Sequence, residues 1–204
     1  MKENIIVVGC GIFGLSTAFK FLQAKKKVTL IDPLPILDSL KSSSGESRNI
    51  RFSHANDQFY SRLSWEAAKE WKKIEKITNN KLFYDTGIVW FSAEDNGWES
   101  HSEKTIKMLN IPYQHLSPKD AMKLYPSLHV DDLRFVLHEP HGGTLAAKKC
   151  LLTLFNLCLD LGCDYINGQA EFKKDDIYVN NKKIDFDTAV WAIGPWIKHV
   201  FPFI

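Results

Sequence analysis

Asn4-Ile5-Ile6-Val7-Val8-Gly9-Cys10-Gly11-Ile12-Phe13-Gly14 decides the fold. Residues 4–8 have the β-branched, apolar character of a central parallel strand buried on both faces. From Ile12 to about Ala24 the apolar spacing turns helical, and Val28-Thr29-Leu30-Ile31 then reads as a second short buried strand ending at Asp32-Pro33. Strand, helix and strand close within about thirty residues, which is a βαβ unit.

The GxGxxG of Gly9, Gly11 and Gly14 lies where the strand ends and the helix opens. Gly9 permits the tight turn, Gly11 lets the backbone approach a pyrophosphate with no Cβ in the way, and Gly14 allows helix and strand to pack closely. Backbone N–H groups of Ile12 and Phe13 at the helix N-terminus offer partial positive charge to a diphosphate. Asp32, eighteen residues past Gly14, stands where a carboxylate accepts hydrogen bonds from both ribose hydroxyls of an adenosine and disfavours a 2′-phosphate. The fingerprint fits FAD and NAD alike. A Gly-rich turn without a nucleotide, with Asp32 as a capping or solvated residue, is the alternative.

Bulk properties narrow the class. The 204 residues, 45% hydrophobic, suffice for one large domain or two small ones, and a formal charge of +2 leaves no basic excess to argue for nucleic acid. No run approaches the roughly 18 to 20 apolar residues that span a bilayer, so the expectation is a soluble, unexported, cytoplasmic chain. Cys10, Cys150, Cys158 and Cys163 show neither CxxC pairing nor metal-ligand spacing and read as buried free thiols.

Farther along, residues 33–48 are rich in Pro, Ser and Gly and read as a loop. A helix follows over about Phe59–Thr78, with Leu63, Ala67, Trp71, Ile74 and Ile77 on one stripe. Residues 82–92 read as strands bent at Gly87, 101–109 as a polar helix, Ser117-Pro118 as the start of a short helix to Tyr125, and 133–138 as a strand. A strongly apolar stripe predicts a helix over 145–161 with Gly162 past its end. Short strands divided by Lys-Asp-Asp and Asn-Asn-Lys-Lys turns fill 164–185, and a last buried run, 188–193, ends at Gly194-Pro195. His138, Glu139 and His141 lack the helical HExxH register and read as a solvated loop with no metal. Tyr60, Trp65 and Trp71 read as core and interface aromatics.

Ser42-Ser43-Ser44-Gly45-Glu46-Ser47-Arg48-Asn49-Ile50-Arg51 resembles a segment of the FAD-dependent oxidoreductase family that includes D-amino-acid oxidase and monomeric sarcosine oxidase. There a small polar run leads into Gly, an acid, Ser or Thr, Arg, two residues, and a second Arg; this chain has serines where some members carry histidines. The resemblance implies that Arg48 lies against the flavin and has a catalytic role, that Arg51 pairs with a substrate carboxylate, and that Pro33, Ser43, Ser44 and Ser47 border the cofactor. A guanidinium beside a flavin favours the reduced anionic ring, and its planar fork suits a carboxylate. Two arginines on a solvated loop are the alternative.

The resemblance extends through Phe83 to Phe91, through Gly142-Gly143-Thr144-Leu145, and through Ala192-Ile193-Gly194-Pro195-Trp196. It implies that Ala170 faces the adenine and that Ala192, Gly194 and Trp196 approach the cofactor. The expected architecture is α/β: a Rossmann-type FAD/NAD(P)-binding domain in two segments, 1–80 and 144–204, around part of an α+β substrate domain, 81–143.

Family members are much longer, so the resemblance covers an N-terminal half. The expectation is an incomplete sheet, an apolar end at Val200 to Ile204, and a chain that is weakly active or inactive alone. The implied activity is FAD-dependent oxidation of the C–N bond of a small amino acid or N-methyl amino acid, such as sarcosine. A non-catalytic flavin-binding module completed by a partner polypeptide, and an NAD-dependent dehydrogenase, are the competing readings.

Overall fold

The computed structural model describes residues 3–127 and 129–203. In chain order the elements are β1 (Asn4–Val8), α1 (Ile12–Gln23), β2 (Lys27–Asp32), β3 (Ser47–Ile50), α2 (Gln58–Thr78), β4 (Phe83–Tyr84), β5 (Ile88–Ser92), α3 (Trp98–Met108), β6 (Gln114–Leu116), α4 (Pro118–Leu124), β7 (Phe135–Glu139) and β8 (Gly143–Ala146). Then come α5 (Ala147–Asp160), β9 (Asp164–Asn167), β10 (Ala170–Lys173), β11 (Asp176–Val179), β12 (Lys182–Ile184), β13 (Thr188–Trp191), a 3₁₀ turn (Gly194–Trp196) and α6 (Ile197–Val200). The chain divides into two compact units, Met1–Glu46 with Ala147–Ile204, and Ser47–Ala146.

The first unit is built on a parallel sheet of order β13-β1-β2-β9. Ile5, Ile6 and Val7 in β1 are fully buried, as the unbroken apolar run requires of a central strand. Leu15, Ala18 and Leu22 bury one stripe of α1, and the Cys158 thiol of α5 lies 3.8 Å from the Leu15 carbonyl oxygen. Helix α5 ends as its glycine predicts: Gly162 has φ +86°, and Cys163 N–H donates back to the Cys158 carbonyl at 3.0 Å. All four cysteines are buried free thiols, and burial pushes Cys158 up to about 12 and Cys163 to about 11. β10, β11 and β12 form an antiparallel sheet whose tight turns place Lys174 and Asp175, then Asn180 and Asn181, at positive φ.

The second unit holds two antiparallel sheets, β3-β8-β4 and β5-β7-β6. Asp57 caps α2 by accepting from Tyr60 N–H at 2.9 Å, Asn79 ends it at φ +53°, and Ser117 caps α4.

Several boundaries differ from the sequence expectation. The loop predicted over 33–48 ends in β3, because residues 47–50 find a ladder partner in 143–146 that local composition does not reveal. Residues 145 and 146 are thereby strand, not helix, and α5 starts at Ala147. The compact units also divide at 46/47 and 146/147, not at 80/81 and 143/144, since α2 binds the second unit: Glu75 accepts from Leu82 and Phe83 N–H, and Lys72 pairs with Asp85. On α2, Tyr60 (59%), Leu63 (41%) and Ile77 (64%) are exposed, while Ser61, Ala68, Trp71 and Ile74 are buried, so Tyr60 is no core aromatic. Phe201 packs against Trp191 at 5.2 Å, Phe203 is exposed, and Ile204 lies outside the described residues. Among the described residues no helix is long and apolar enough to cross a membrane.

Candidate functional site

In the first unit the Gly-rich turn joins β1 to α1. Gly9 has φ +102° and donates to the Ile31 carbonyl at 2.8 Å; a Cβ on it would meet the Ala192 carbonyl oxygen at 2.5 Å. A Cβ on Gly14 would stand 1.7 Å from the Gly9 oxygen, so helix and turn meet backbone to backbone there. Ser43 closes over the start of the helix, its Oγ accepting from Ile12 N–H at 3.2 Å and lying 3.3 Å from where a Gly11 Cβ would be. Phe13 projects outward at 81% exposure. Ala192 N–H donates to the Val8 carbonyl, which seats the end of β13 beside the turn.

Asp32 ends β2 with 5% exposure. Its Oδ2 accepts from Cys10 N–H at 2.6 Å and from the Lys41 ammonium at 2.9 Å, and its Oδ1 accepts from Leu34 N–H at 2.9 Å. A carboxylate has about four lone-pair sites, so three are already engaged, and a ribose reaching Asp32 with both hydroxyls must share with or displace Lys41. Pro33 follows on the exposed side, and Gly168 N–H donates to the Asp32 carbonyl at 3.2 Å. Ala170 packs two residues later in a cluster with Ile31 and Val179.

The structure thus brings Gly9, Gly11, Ile12, Gly14, Asp32, Ser43 and Ala192 to one end of the parallel sheet. Ser44 instead donates from its hydroxyl to the Ser39 carbonyl, and Trp196 lies half-exposed with its ring 6.1 Å from that of His199. Sequence reasoning missed Lys41, which is 9% exposed. Its signal was that it is the lone cation between residues 33 and 47.

The second unit carries both arginines on β3 or just after it. Arg48 is exposed and donates to the Ser47 carbonyl at 2.8 Å. Arg51 follows Ile50 and stacks its guanidinium 5.2 Å from the Trp90 ring centroid and 5.8 Å from that of Trp98. Beneath them Glu139 is fully buried and accepts from Phe52 N–H, Ser53 N–H and Trp90 Nε1–H. The solvated-loop reading of His138 and Glu139 is therefore wrong: both belong to β7, and His138 Nδ1 lies 2.8 Å from Gln114 Oε1. His141 is exposed.

Burial first, then the Arg51 charge, holds His54 below the ordinary imidazole value of 6.5, against the raising pull of the Arg51 backbone, Glu139 and Asp57; burial does the same to His138 against the pull of Glu139. A histidine depressed on folding takes up its proton more readily when unfolded. Stability is therefore full above the ordinary value and falls as pH drops through it. Thermal midpoints between about pH 7.5 and 5.5 are expected to decline, and His54→Gln with His138→Gln to flatten that decline. Equal slopes in both proteins would refute the assignment.

The residues at the mouth of the parallel sheet fit a dinucleotide. The approach over Gly11 is limited by a hydroxyl and not by backbone, and a buried carboxylate stands at the adjacent strand end. A family model described as FAD dependent oxidoreductase matches residues 4–203. The chain is 26% identical over 202 residues to peroxisomal sarcosine oxidase of Mus musculus, covering 97% of this chain and 52% of that protein. It is 24% identical to monomeric sarcosine oxidase of Bacillus sp. strain B-0618, covering 95% and 51%. L-proline dehydrogenase from P. horikoshii superposes with a TM-score of 0.85 at 19% identity, over 98% of this chain and 55% of that one. The chain spans about half the length of the curated relatives it matches.

Proposed function

The chain belongs to the FAD dependent oxidoreductase family, and from that membership we propose that it binds FAD and serves oxidation of the C–N bond of a small amino acid or N-methyl amino acid. The observation that carries the reading is the conjunction, in one unit, of the backbone-tight Gly9/Gly14 turn and the buried Asp32 carboxylate. FAD, when bound, accepts the electrons and hydrogen taken from the amine.

The protein's own contribution is placement. The N–H groups opening α1 would face the diphosphate, with Ser43 bordering it, and Asp32 would accept from the ribose. Ala170 is proposed for the adenine end, and Ala192, Gly194 and Trp196 for the approach of the last strand to the cofactor. Arg48 is proposed to favour the anionic reduced flavin, and Arg51 to take the substrate carboxylate through its planar fork. The sarcosine oxidases among the relatives support sarcosine as the first substrate to try.

The test is the visible absorption spectrum of the purified chain after addition of excess FAD and desalting. Retained flavin bands are expected, with Asp32→Asn weakening retention about tenfold or more, since hydrogen bonds to a charged acceptor contribute about 1.5–3 kcal/mol each. A folded wild-type chain that keeps no flavin overturns the proposal.

A further inference from the structure

We infer that Glu139 is a positioning residue for Arg51, fixing both the backbone that leaves it and the aromatic platform under its guanidinium. The inference rests on the reading of Arg51 as the group that takes a substrate carboxylate.

β3 pairs with β8 only as far as Ile50 opposite Gly143, and the residues after it are not strand. Arg51 is thus the first residue that sheet pairing does not hold. Its neighbours are held instead by one side chain: Glu139 Oε2 accepts from Phe52 N–H at 2.5 Å and Oε1 from Ser53 N–H at 3.0 Å. The same Oε1 accepts from Trp90 Nε1–H at 2.8 Å, which sets the rotation of the indole on which Arg51 stacks. Trp98 packs 4.6 Å from Trp90 and extends the platform. Glu139 is itself anchored in β7, opposite Ile88 of β5.

The chemistry requires an acceptor with no hydrogen to donate. A carboxylate meets three N–H donors without conflict, whereas a glutamine in its place keeps two of them on one oxygen and turns an NH₂ toward the third. A fully buried carboxylate is costly unless it is satisfied in this way. An arginine on a flexible stem presents its fork in many orientations; one laid on a fixed indole presents few, and bidentate recognition of a carboxylate depends on that orientation.

The test uses the full chain loaded with FAD and labelled at arginine, with the Arg51 resonances assigned by Arg51→Lys. Stacking on Trp90 and Trp98 should shift the Arg51 δ-methylene protons upfield by ring current. In Glu139→Gln that shift is expected to collapse toward the value of a solvent-exposed arginine. Affinity for sarcosine should weaken about tenfold while affinity for N-methylethylamine, which lacks the carboxylate, stays the same. A general loss of structure would weaken both ligands alike, which overturns the inference, as does an upfield shift that survives the substitution. Trp90→Phe, which keeps both backbone bonds to Glu139, should give an intermediate shift, and no change there also overturns it. If sarcosine leaves Arg51 unmoved in the wild-type chain, it is the reading of Arg51 that fails.

Discussion

Alanine at position 14 is expected to abolish FAD retention and to destabilise the first unit by more than about 3 kcal/mol. The new Cβ would lie 1.7 Å from the Gly9 carbonyl oxygen and 2.9 Å from its carbon, and neither is a side chain that can rotate away. The turn must open instead. Opening it strains the Gly9 N–H bond to Ile31 and moves the start of α1, from which the diphosphate would be held. Gly11→Ala is the control for stability alone, because its nearest neighbour is the rotatable Ser43 hydroxyl at 3.3 Å and the backbone has room to stay, whereas its flavin retention should fall with the new Cβ on the approach to the diphosphate. Thermal denaturation with and without FAD reads both; a Gly14→Ala chain with wild-type midpoint and flavin content would show that the close approach is absent in solution.

Glu139→Leu should unfold the second unit. Leucine fills a similar volume but leaves the fully buried Phe52 and Ser53 N–H groups and the half-buried Trp90 Nε1–H without an acceptor. At about 1–3 kcal/mol for each orphaned donor the loss is on the order of 5 kcal/mol, which equals the whole stability of many domains. Four of the six tryptophans, Trp65, Trp71, Trp90 and Trp98, lie in this unit, so near-ultraviolet circular dichroism follows it directly. A tryptophan signal that keeps its amplitude and melts cooperatively at the wild-type temperature would refute the expectation.

What the sequence disclosed and what it hid follow from the range of the forces involved. The βαβ start was legible because its signals are local: an apolar run for β1, i, i+4 spacing in α1, and a glycine pattern in which Gly14 meets Gly9 five residues earlier. Gly162 and the Asn180-Asn181 turn were legible for the same reason. β3 was hidden because its partner lies about a hundred residues on, and nothing in Ser-Arg-Asn-Ile marks it as a strand by itself. Glu139 was misread because composition treats a glutamate beside two histidines as polar surface. Its burial depends on donors supplied from positions 52, 53 and 90, which a linear reading does not bring together. Asp32 was placed correctly at the strand end, but its ion pair with Lys41 crosses a loop that has no periodicity to read.

Ser47 lies directly opposite Ala146, so the second unit begins and ends at one point, and on the far side of that point Ala147 N–H donates to the Glu46 carbonyl at 2.8 Å. To the parallel sheet, the whole intervening polypeptide is equivalent to a hairpin turn. Because its two ends meet, the second unit can vary in length and content without changing the gap that the chain must span between Glu46 and Ala147. The junction between Glu46 and Ala147 is the natural splice.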